Sequence, residues 1–96
     1  MIGVIAQLKI AAGKEAEFEA AAGELVAAVN ANEPGCELYA LFRSPTDPSE
    51  YVFMERYADK AALGAHQQME HFIAAQPKLG ACLAGAPDIQ VFDAVC

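Results

Sequence analysis

The order in which the hydrophobic period changes along the chain constrains its fold most strongly. From Met1 to Ile10, Ile2, Val4, Ala6, Leu8 and Ile10 alternate with Gly3, Ile5, Gln7 and Lys9, the repeat of a strand. After Ala11-Ala12-Gly13 the period lengthens. Phe18, Ala22, Leu25, Val26 and Val29 share one face of a helix over 14–32, opposite Glu15, Glu19 and Glu24, and Pro34-Gly35 ends it. Alternation returns from Cys36 to Arg43, with Cys36, Leu38, Ala40 and Phe42 on one side and Glu37, Tyr39, Leu41 and Arg43 on the other. It returns again from Tyr51 to Tyr57, beyond the turn-forming run Ser44-Pro-Thr-Asp-Pro-Ser49. Asp59 is placed to cap a short helix through Ala61, Leu63 and His66. A second helical stretch from about 69 to 83 carries Phe72, Ile73 and Leu79, with Pro77 as a point of kinking or restart. Ile89, Val91 and Val95, with Phe92 between them, supply a last strand.

The resulting order, β-α-β-β-α-β, leaves no segment for a linker or repeat, and 96 residues suit one domain. It predicts an α+β fold, the ferredoxin-like sandwich, with helices on one face of an antiparallel sheet. Both faces of the second and third strands are substantially apolar, so the face turned away from the helices is expected to be buried against another copy, making a homodimer. Composition points the same way. The chain is 55% apolar, yet 21 residues are Ala, which bury little area each, so the core is thin.

Six Lys and Arg against thirteen Asp and Glu give a net charge of −7, which repels phosphate backbones and anionic lipid surfaces. Nucleic acid and membranes are therefore not expected partners. No stretch approaches the roughly 20 uncharged residues that span a bilayer, and the N-terminus lacks a signal-peptide pattern, so a cytoplasmic protein is expected. Cys36, Cys82 and Cys96 are odd in number and contain no C-x-x-C pair, which fits reduced packing thiols.

Glu33-Pro-Gly-Cys-Glu-Leu-Tyr39, Tyr51-Val-Phe-Met-Glu-Arg-Tyr57, Lys60-Ala-Ala-Leu-Gly-Ala-His66 and the pair His71-Phe72 succeed one another in an order that resembles the antibiotic biosynthesis monooxygenase family, including its small quinol-monooxygenase-like members. The resemblance covers nearly the whole chain. It implies a dimeric α+β barrel with a pocket in each protomer, and oxygenation of aromatic phenols or quinols by dioxygen with no metal, flavin or other cofactor. Relatives in the wider group degrade haem or isomerise small substrates. The absence of Trp, the lack of Asn in the first strand and Gln76 four residues after Phe72 separate this sequence from the haem-degrading branch.

His66 and His71 are the only imidazoles and the first candidates for proton transfer near neutral pH. Alternation sets Glu55 on the same face as Tyr51, Phe53 and Tyr57, an aromatic wall where a bare charge is costly. The expectation is that Glu55 pairs with His66 to make a catalytic base; the alternative is a salt bridge to Arg43 or Arg56. Tyr51 and Tyr57 are expected to orient a planar substrate, Phe53 and Phe72 to line its rings, and His71 to contact it. No metal site is expected, because His-Gln-Gln-Met-Glu-His fits neither zinc-protease pattern. The expected function is a cofactor-independent monooxygenase of small aromatic phenols or quinols. A non-catalytic ligand-binding or stress-response dimer and a proton-moving isomerase stand as alternatives on the same scaffold.

Overall fold

The computed structural model describes residues 1–96. Four strands, β1 (Ile2–Lys9), β2 (Cys36–Arg43), β3 (Glu50–Tyr57) and β4 (Asp88–Asp93), form one antiparallel sheet in the order β2-β3-β1-β4. Helices α1 (Glu15–Asn32), α2 (Lys60–Gln68) and α3 (Glu70–Gly80) cover one face. This is the ferredoxin-like arrangement that the alternation of periods predicts.

The sheet side beneath the helices carries Ile2, Val4, Ala6 and Leu8 of β1, with Tyr51, Phe53 and Tyr57 of β3, all buried. Against them α1 lays Phe18, Ala22, Leu25 and Val29, four residues of one helical stripe. Phe18 stacks on Tyr51 at 4.9 Å between ring centroids and on Phe53 at 6.5 Å, so the centre of the core is aromatic. Gly13, the one residue with positive φ, at 88°, turns the chain from β1 into α1.

Three local features matter for the site. First, Cys36 lies opposite Tyr57 while Leu38 lies opposite Arg56, so Glu37 is an extra residue in β2. The bulge moves Cys36 to the helix side and leaves Leu38 on the outer face with Phe42. Second, the two helical stretches expected after β3 are separate helices. Met69 is extended (φ −69°, ψ 142°) and separates α2, capped by Asp59 accepting from the Ala62 amide at 2.8 Å, from α3. Third, α3 runs through Pro77 without ending there.

β4 forms the open edge beside β1, and its helix-side residues Ile89 and Val91 stay more than half exposed. On the opposite sheet face Leu38, Phe42, Met54 and Phe92 are also exposed, giving a broad apolar surface. Gly35 allows α2 to approach the start of β2. A Cβ there would stand 2.8 Å from the Ala62 Cβ.

Candidate functional site

Three titratable side chains from three elements meet above the β2–β3 end of the sheet. Glu33 is the residue at which α1 stops, its amide still bonded to the Val29 carbonyl, before Pro34 and Gly35 turn the chain into β2. Its carboxylate is buried. His66, in the last turn of α2, brings Nδ1 to 2.9 Å and 3.0 Å from the two Glu33 oxygens. His71, in the first turn of α3, bonds through Nε2 to the second of those oxygens. In a continuous helix, residues five apart point about 140° from each other. The extended Met69 between α2 and α3 is what lets both rings face one carboxylate.

A carboxylate oxygen can only accept, so Nδ1 of His66 carries the hydrogen and Nε2 is the position where the ring gains or gives up a second proton. Every buried side-chain nitrogen and oxygen in the fold has a partner, whereas His66 Nε2 has none. That atom therefore borders accessible space. The ring lies 5.2 Å from Tyr39, 5.4 Å from Tyr57 and 4.6 Å from Phe72, centroid to centroid.

Tyr39 and Phe72 are also walls of a cavity of ≈ 130 Å³ between the sheet and α3. Ala6, Leu8, Phe53 and Glu55 form its floor, Leu25, Phe72, Gln76 and Leu79 its roof, and Leu83, Pro87 and Ile89 its rim. The lining is apolar except for Tyr39, Glu55 and Gln76. Burial, followed by the charge of Glu33, raises the Glu55 carboxyl above its ordinary range, against the opposing hydrogen bond donated by the Tyr57 hydroxyl at 2.7 Å. Burial likewise raises the phenols of Tyr39 and Tyr57, with Glu55 adding to both, so they act as neutral donors. Cys36, beside this group, has its thiol pushed up to about 11 by burial and then by Glu33, which makes it a poor nucleophile.

The structure revises the expected pairing. His66 takes Glu33 as its partner, not Glu55, because Tyr57 stands against the imidazole and its hydroxyl holds the Glu55 carboxylate. Neither arginine reaches Glu55 either: Arg43 pairs with Glu19 and Arg56 with Glu37. Phe53, Phe72 and Glu55 line the cavity, while Tyr57 sits behind Glu55. Tyr51 is directed away, donating to Glu19 at 2.5 Å near Arg43, because its position in β3 places it under the N-terminal half of α1. His71 lies outside the cavity, on surface grooves beside Asn32 and Lys78, because α3 turns it toward α1. No three side chains converge as ligands for a metal. Pattern alone missed the role of Glu33. One signal was present: an acidic residue at a helix C-terminus opposes the macrodipole, and α1 has no basic residue in its last turn to offset it.

An α+β ferredoxin-like sandwich with an apolar cavity between sheet and α3, and His66 packed behind its walls Tyr39 and Phe72, defines the class. Within that class the chain belongs to the antibiotic biosynthesis monooxygenase family, whose model matches residues 1–78. Among solved structures it is similar to a protein of Caulobacter crescentus CB15 named for the same family, with 47% identity, a TM-score of 0.94, and coverage of 98% of this chain and 89% of that one. The protein PA3566 of Pseudomonas aeruginosa is similar at 28% identity and a TM-score of 0.89, over 99% and 94% of the two chains. The uncharacterized protein sll1783 of Synechocystis sp. is 28% identical over 91 residues, which is 95% of this chain and 61% of that protein, so the chain spans less than two thirds of this relative. No helix is long and apolar enough to cross a membrane.

Proposed function

We propose that the protein is a cofactor-independent monooxygenase that oxidises a small phenol or quinol in the chamber beneath α3, with His66 as the base and Glu33 as the group that orients it. The observation that supports this most is the buried Glu33–His66 pair, whose imidazole ring packs against Tyr39 and Phe72 of the apolar wall. The volume of ≈ 130 Å³ suits a single aromatic ring, given that an apolar cavity of about 150 Å³ takes up benzene.

His66 Nε2 removes the phenolic proton, and Glu33 stabilises the imidazolium that results. The phenolate passes one electron to dioxygen, and the superoxide and phenoxyl radical join at a ring carbon that bears hydrogen. Protonation by His66 gives the hydroperoxide. Loss of water then takes that ring hydrogen and the distal oxygen, leaving a ring carbonyl. One oxygen atom ends in the product and the other in water, and His66 returns to its starting state. Phe53 and Phe72 hold the ring, while Tyr39 and Glu55 supply hydrogen bonds to its oxygens. The outer face bearing Leu38, Phe42, Met54 and Phe92 is where a second copy closes the homodimer.

Oxygen uptake with a panel of monocyclic and bicyclic hydroquinones tests the reaction in metal-depleted buffer. The wild type consumes oxygen and incorporates one labelled atom into product, and His66→Gln lowers kcat by about 100-fold or more at unchanged circular dichroism. Tight binding of the same panel with no oxygen uptake would overturn the proposal in favour of a binding protein. Solvent deuterium entering a ketone substrate without oxygen uptake would overturn it in favour of an isomerase.

A further inference from the structure

His71 does not line the chamber, yet it completes the Glu33 cluster. The three side chains differ sharply in access to water: 4% exposed for Glu33, 3% for His66 and 19% for His71. His71 is the most open of the three to solvent. Its outer side forms part of an open groove with Asn32, Gln68, Met69 and Glu70, and of a second hollow with Glu24 and Lys78.

We infer that His71 is a positioning residue which sets the basicity of His66 through the carboxylate they share, so that proton uptake at the surface groove turns the base down. This rests on His66 acting as the base. The argument is electrostatic. The imidazolium that His66 becomes when it takes a substrate proton is stabilised by the negative charge of Glu33. A neutral His71 donates one hydrogen bond to Glu33 and leaves that charge intact. A protonated His71 neutralises it, and a second cation at His66 then shares one carboxylate with the first. In a buried cluster two such protonations oppose each other strongly and belong to the group, not to one ring.

Other titratable groups face the cluster without replacing this coupling. Cys36, Glu55, Tyr39 and Tyr57 border the His66 side, and burial keeps the thiol and phenols neutral at physiological pH. Glu70, Glu24 and Lys78 border His71 in the surface hollows and are open to solvent screening. Of the two rings that touch Glu33, His71 is the more exposed.

Two substitutions of opposite sign test the inference. In His71→Gln the carboxamide keeps an N–H donor for Glu33 but never carries a charge. In His71→Lys a permanent cation takes its place. Ring nitrogen NMR of His66, needing no substrate, tracks the pH at which that ring takes up its proton. The expected result is a move upward by about one pH unit in His71→Gln and downward in His71→Lys. The acid limb of the kcat profile shifts in the same two directions. Damage to packing alone would move both variants alike, so equal shifts or none overturn the inference. Opposite NMR shifts in a protein that consumes no oxygen uphold the coupling and defeat only the oxygenase reading. Normal turnover with an unmoved profile in His71→Gln defeats the coupling and spares that reading.

Discussion

Replacing Glu33 by Ala tests whether the cluster stabilises the fold as well as arming the site. The substitution removes the bifurcated hydrogen bond that His66 Nδ1 donates to both Glu33 oxygens and the bond from His71. His71 is part-exposed and recovers a bond to water. His66 is only 3% exposed and does not. A buried donor left unpaired costs about 1–3 kcal/mol. Relief from holding a desolvated carboxylate offsets part of this, leaving a net loss of about 2 kcal/mol. For a domain of this length each kcal/mol lowers Tm by about 4–8 °C, so Glu33→Ala should melt about 8–16 °C below the wild type. Glu33→Gln keeps a carbonyl acceptor for Nδ1 and should lose about half as much. Urea unfolding at several protein concentrations measures the difference while separating it from any dissociation of subunits. A loss under about 0.5 kcal/mol in Glu33→Ala would mean that the carboxylate's desolvation cancels its bonds, and the stabilising role assigned to the cluster would be wrong.

Two other perturbations, one at a thiol and one at the outer sheet face, have equally definite outcomes. With the Cys36 thiol pushed up to about 11, its thiolate fraction at pH 8 is about 100-fold below that of an ordinary thiol, so iodoacetamide should label exposed Cys96 long before it. Because the folded thiol holds its proton to higher pH than the unfolded one, stability should also fall as pH rises from about 9 to 11; equal labelling of the two residues at pH 8 by mass spectrometry would contradict both statements. On the outer sheet face, Met54→Asp with Phe92→Asp should convert a dimer of the wild type to monomers in sedimentation, and a wild type that already sediments at 10.1 kDa would remove the basis for that interface.

Much of this architecture is legible in the chain because single faces of its elements are buried. The stripe Phe18, Ala22, Leu25 and Val29 and the alternation of β1 mark α1 and the central strand without ambiguity. The pattern divides the second helical region at about Met69, but the extended backbone there carries no such mark. Gln67-Gln68-Met69-Glu70 contains no Gly or Pro, and the chain breaks there while continuing helically through Pro77. The bulge at Glu37 is equally silent in the pattern, since alternation assigns Cys36 to the side it does not occupy. The candidate site divides in the same way. Phe53, Phe72 and Glu55 share the inward side of their elements and are found by periodicity. The Glu33 pairing is a long-range contact, 33 and 38 residues from its two histidines, and arises from where α1 ends above the sheet.

The extended residue between α2 and α3 also sets a limit on how this chain can vary in length. Each residue added to a helix rotates the downstream chain by about 100°, so an insertion or deletion within 66–71 would swing one imidazole away from the shared carboxylate while leaving the sheet untouched. Side chains along that junction can be exchanged freely on their exposed sides, but its residue count is fixed by the need for two rings to arrive at one acid.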